Sequence, residues 1–163
     1  MINRILMSAI SLLVLVGMAE VSIAQQPNQP SAQVQQSNMA RIECSRNLRK
    51  TPSGMVVEKD ILLVSPNQPN KYDLLSSKAR LSEPQKKSLK DYLAEADKCD
   101  QLTIDALRGN VMLPPFEKGK IAKEVLYAKL LNGQVSIGEA NIALEQLRVE
   151  TLKETMDAVK ANH

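Results

Sequence analysis

The sequence predicts an all-α domain: a small helical bundle of three to four helices that ends in an antiparallel helix hairpin and carries one disulfide. Three observations lead there. Ser82 with Gln85 and Ser136 with Glu139 have the spacing of capping boxes, and each opens a long stretch of helix-spaced apolar residues. No segment finds a clear partner strand, and a lone strand would leave its backbone groups unpaired. Cys44 and Cys99 are the only two cysteines.

The chain has 163 residues, 44% hydrophobic and 24% charged, with a net charge of +3. That suits one small domain and is too apolar for a wholly disordered chain. The four aromatic residues are Tyr72, Tyr92, Phe116 and Tyr127, too few for a sugar cleft or a base-stacking surface. The single histidine, His163, argues against a histidine metal cluster or a Ser-His nucleophile.

Residues 1–24 read as a cleaved secretory signal. Arg4 supplies the positive start, residues 5–18 (ILMSAISLLVLVGM) the apolar run, and Ser22-Ile23-Ala24 the small residues before cleavage. The alternative is a membrane anchor, but the run falls short of the roughly 20 residues that cross a bilayer. No later segment is apolar enough to span, so no stable membrane insertion is expected after cleavage. A periplasm is the expected compartment, with secretion as the alternative. Residues 25–38 hold six glutamines and no charge, and are expected to form a disordered tether before a helical domain at 39–163.

Residues 39–50 place Ala40, Cys44 and Leu48 on one helical face, and Thr51-Pro52-Ser53-Gly54 ends that element. Residues 55–64 fit a strand by their β-branched content and a short helix by Val57, Ile61 and Val64; the want of a partner strand favours the helix. Residues 65–70 (SPNQPN) form a loop. From Ser82 a helix places Leu89, Tyr92, Leu93, Ala96, Cys99, Thr103 and Leu107 on one face and stops at Gly109-Asn110. A further helix covers 116–132, with Ile121, Val125 and Ala128 as one stripe and Leu126 and Leu130 as another. After Asn132-Gly133 the last helix runs over 137–160 on Ile137, Ala140, Leu144, Leu147 and Thr151. Its second apolar strip is Ile142, Val149 and Met156. The short link between these two helices favours a hairpin.

A Cys44–Cys99 bond would close a loop of about 55 residues and contribute at most about 4 kcal/mol by loop entropy. Two buried thiols or a redox couple are the alternatives, and the spacing lacks the close C-x-x-C of the latter. No catalytic set rises above background, so no enzyme activity, cofactor or metal is expected. Gly133 and Gly138 have phosphate-loop spacing, but Glu139 and Ala140 stand where Lys and Ser or Thr are needed.

Two features suggest a partner surface. Residues 71–90 carry a balance of +4, with Lys86, Lys87 and Lys90 grouped early in a helix whose remainder is acidic. That patch suits an anionic envelope surface or acidic partner, or serves solubility alone. Compartment and modest charge argue against nucleic acid. The second strips on the last two helices either sit in the core, covered on both sides, or expose apolar surface to a partner or a second copy as a homodimer.

Residues 81–85 (LSEPQ) resemble the L-T-x-x-Q motif of small periplasmic stress chaperones, with Ser82 in place of threonine. That resemblance implies an all-α protein that cradles unfolded clients. Residues 133–141 (GQVSIGEAN) are similar to a hairpin start found in exported bacterial proteins. The sequence therefore leads us to expect a non-enzymatic exported protein that binds another macromolecule in the cell envelope. The alternative is a periplasmic chaperone that shields unfolded clients.

Overall fold

The computed structural model describes residues 32–162, and all regular structure among them is helical. The signal segment and residues 25–31 of the expected tether lie outside the described residues. Helix α1 spans Ala32–Arg49, α2 Pro52–Asp60, α3 Lys71–Ser76, α4 Glu83–Ala106, α5 Leu113–Leu131 and α6 Ile137–Ala161. The four long helices form the all-α bundle with its C-terminal hairpin, and two short helices are added to it.

Helix α1 starts before the position expected from apolar spacing. No proline or glycine lies between Pro30 and Pro52, so nothing breaks the helix over 32–38, the second half of the supposed tether. Thr51 both ends α1 and starts α2. Its hydroxyl donates to Leu48 O at 2.7 Å and accepts from Gly54 N at 3.0 Å, with Pro52 in the first turn. Helix α4 opens on the reciprocal capping box of Ser82 and Gln85.

The main core joins α2, the segment after it, α3, the start of α4, the end of α5 and the start of α6. Val57, Ile61, Leu62, Leu74, Leu81, Leu89, Leu130, Ile137 and Ala140 form it. All of these except Leu74 and Leu81 belong to stretches whose apolar spacing was legible in the sequence. On the other side α1 packs along α4, where Cys44 and Cys99 are joined by a disulfide with 5.6 Å between their Cα atoms.

Between α2 and α3 the chain leaves regular structure, and residues 62–64 belong to neither helix nor strand. Side chains pair their backbone instead. Buried Asn141 of α6 accepts from Leu63 N at 2.7 Å and donates to Ile61 O at 2.8 Å and to Ile137 O at 2.9 Å. Buried Gln68 accepts from Val64 N at 3.0 Å and donates to Glu58 O and Leu62 O. These two amides do the work that a neighbouring strand would do.

The start of α6 is satisfied just as fully. A helix leaves its first four N–H groups without internal partners. Here Ile137 N donates to Ala79 O at 2.9 Å and Gly138 N to Ser77 O at 2.9 Å. Glu139 N donates to Ser136 Oγ at 3.2 Å, and Ala140 N to Ser136 O at 3.0 Å. Gly138 is required by contact: a Cβ there would lie 2.6 Å from both Leu75 O and Ser77 O. Glu139 accepts from Ser136 N at 2.7 Å, and this backbone hydrogen bond, then the Ser136 side chain, holds its carboxyl below the ordinary 4.5. That contribution is in place above the ordinary value and is lost as pH falls through the lowered one.

Two outcomes test this arrangement. Asn141→Leu should cost about 2–4 kcal/mol, because the Leu63 amide and Ile61 carbonyl lose their partner at a buried site; urea denaturation measures it. Cys44→Ser should lower stability by about 2–4 kcal/mol and reduce the melting temperature, whereas an unchanged melt would remove the disulfide from the account.

Candidate interaction surface

Helices α5 and α6 pack as the expected hairpin, turned by Asn132 and Gly133. Buried Gly119 of α5 lies against Thr151 of α6, and Lys118 pairs with Glu154 at 2.6 Å, so the two helices run side by side well beyond the main core. One apolar stripe of each helix faces inward: Leu126 and Leu130 on α5, and Ile137, Ala140, Leu144 and Leu147 on α6.

The second stripes are in solvent. On α5, Ile121 is 61% and Val125 53% exposed; on α6, Ile142, Val149, Leu152 and Met156 are each about half exposed. Helical geometry turns each stripe away from the partner helix, so the hairpin carries apolar surface on two opposite sides. The reading that both strips lie covered in the core is therefore corrected. The bundle is too thin at this end: α6 packs on α5 and, near its start, on α3. Leu152 extends the expected Ile142, Val149 and Met156 strip, and its spacing from Val149 and Met156 was the signal for it.

The lysines fall on one side of the first turns of α4, with Glu83 among them. Lys86 is half-buried and pairs with Glu83 at 2.6 Å, while Lys87 and Lys90 are exposed. The Lys86 hydrogen bond and charge, with Lys90 adding to them, hold the Glu83 carboxyl below its ordinary value. The patch is thus partly neutralised from within. The patch belongs to α4, which packs on α1, α2 and α5, whereas the strip lies on the outer face of α6.

A cleft of about 330 Å³ opens between α1, α4 and α5, lined by Leu48, Leu93, Ala128, Leu131, Tyr92 and Tyr127 among others. Sequence reading missed it, because the cleft depends on how far α5 stands from α4. Ion pairs cross it: Lys120 to Asp97 at 2.6 Å and Lys123 to Asp100 at 3.3 Å, with Lys120 also bound to Glu124. The hydrogen bonds that Lys120 donates to Asp97 and Glu124 raise it above the ordinary lysine value against the opposing effect of burial. Burial, followed by the nearby Tyr92 and Asp100, pushes the Tyr127 phenol up, and burial does the same for Tyr92. Both phenols therefore stay protonated at neutral pH and could donate hydrogen bonds, but neither is set up as a base.

Among the described residues no group of acidic, histidine or cysteine side chains could hold a metal ion, and no helix is long and apolar enough to cross a membrane. The disulfide fits an exported protein. In comparisons with known proteins, the chain matches no family model, no curated protein and no solved structure.

Proposed function

We propose that this chain is an exported, non-enzymatic protein of the cell envelope that binds another macromolecule through the outer faces of the α5/α6 hairpin. The periplasm is the proposed compartment. The observation that carries the reading is the exposure of Ile121 and Val125 on one side and of Ile142, Val149, Leu152 and Met156 on the other. Scattered single apolar residues need no explanation on a protein surface, whereas aligned ones on one helix face mark contact sites. Lys153, Asp157, Arg148 and Glu145 form ion pairs on the exposed surface of α6, which supplies a polar rim.

A second reading, the chaperone, is favoured by the placement of the strips on two opposite sides. Such a hairpin offers an unfolded chain apolar contact without a preformed pocket. The likeness of residues 81–85 to the periplasmic chaperone motif belongs to this reading.

One experiment separates the two. The disulfide-bonded protein is tested for binding of an apolar fluorescent dye and for suppressing aggregation of an unfolding client at stoichiometric amounts. Dye binding that is lost in Ile121→Ser/Val125→Ser supports the hairpin surface. Suppression that survives moderate salt and is lost in the same variant raises the chaperone reading to first place. Absence of dye binding by the folded protein would contradict both.

A further inference from the structure

The cleft between α1, α4 and α5 carries polar groups that the fold itself does not use. Tyr92 and Tyr127 both line it, and Tyr127 is largely buried. Among the described residues neither phenol oxygen has a hydrogen-bond partner, yet neither is sealed from solvent. A buried hydroxyl normally finds its partner within the protein. Here both border a space of about 330 Å³, at the lower end of the range for small-molecule sites. Leu48, Leu93, Ala96, Ala128 and Leu131 give that space an apolar lining, and the bond from Cys99 to Cys44 holds its α1 and α4 walls together. The charged lining is unbalanced: three carboxylates, Asp97, Asp100 and Glu124, stand against two ammonium groups, Lys120 and Lys123. Lys120 is shared between Asp97 and Glu124, and Lys123 reaches Asp100 only at 3.3 Å. The surplus negative charge lies on the acidic stretch of α4, where residues 91–109 hold five acidic and two basic side chains. Near Tyr92, Arg49 and Glu58 act with opposite sign, whereas Asp100 acts on both phenols.

We infer that this cleft binds a small organic cation, an amine carried on an apolar body. The site is separate from the outer hairpin strips and goes beyond the binding surface proposed above. Burying the apolar body against the leucine and alanine lining supplies the non-directional part of the affinity. The ammonium head sits beside Asp100, where its N–H groups donate to the carboxylate and to the phenol oxygens. The faces of the tyrosine rings add attraction for the cation. Charge selects this class of ligand. An anion of the same shape has to take Lys120 or Lys123 from the carboxylates that already hold them, and it meets the surplus negative charge. A neutral alcohol gains the apolar contact alone.

Hexylammonium, hexanol and hexanoate, three probes of one size, test the inference when titrated into the disulfide-bonded protein at neutral pH. The readout is the ring NMR signals of the three tyrosines, with Tyr72, exposed and outside the cleft, as the control. Hexylammonium should shift Tyr92 and Tyr127 saturably, with a Kd on the order of millimolar, and leave Tyr72 in place. Hexanol should bind about three- to fivefold more weakly, the reach of a partly exposed ion pair, and hexanoate more weakly still. Asp100→Asn removes the surplus charge and should bring the affinities for hexylammonium and hexanol close together. Ala128→Phe, at an exposed position of the lining, should block both probes with an unchanged helical circular dichroism spectrum. Hexanoate binding as tightly as hexylammonium, shifts that include Tyr72 equally, no saturable shift of Tyr92 and Tyr127, or a preference that survives Asp100→Asn each overturn the inference.

Discussion

The fold depends on one constraint: the backbone of residues 61–64 must find hydrogen-bond partners without a neighbouring strand. Asn141, from the first turns of α6, pairs the Leu63 amide and the Ile61 carbonyl; Gln68 pairs the Val64 amide and the Leu62 carbonyl, and Val57 O accepts from the Ile61 and Leu62 amides. A buried amide that links two elements so far apart in the chain leaves little freedom in how they meet. Gly138, pressed against the carbonyls of Leu75 and Ser77, fixes the approach of α3 to the same helix start. With Ser136 and Glu139 closing the capping box, every orphan N–H of α6 is committed. Residues 136–141 thus serve as the junction at which α2, α3, the 61–64 segment and α6 are assembled.

This junction lies at one end of the hairpin, and the consequence for the other end is direct. Beyond it α6 has α5 on one side and solvent on the other. The two helices hold each other through an inward stripe and through surface ion pairs such as Lys118–Glu154, which contribute little in water. Their outer stripes have no third layer to cover them. The proposed contact with a partner rests on these exposed residues of α5 and α6. On the α1/α4 side the disulfide supplies by covalent linkage what a thin bundle cannot supply by burial.

Much of this was legible in the sequence because it is local. Ser82 and Ser136 each reach three residues along the chain, and their helices begin where the capping boxes place them. The inward faces of α4 and α6 follow from 3.6-residue spacing, and the cysteine pairing followed from there being two cysteines on packed helices. Asn141 and Gln68 were not legible. Each is a polar residue in a polar-looking stretch, and the partners of Asn141 lie 78 and 80 residues away. Helix α3, six residues long, is too short to show a period. Thr51-Pro52 signals a stop and a start equally, and only the packing of α2 on α4 decides. Whether a second apolar stripe is covered depends on how many helices surround it, which no single helix records; hence Ile142, Val149 and Met156 turned out to be exposed.

The account's central claim is that the α6 start holds the irregular middle of the chain in place. Native-state hydrogen exchange of the Leu63 amide, followed by NMR, tests it most directly. This amide belongs to no helix or strand, yet its bond to Asn141 predicts protection close to that of the buried Leu89 amide in α4, with both released only by global unfolding. Exchange of Leu63 orders of magnitude faster than Leu89 would contradict the claim and show the segment opening on its own.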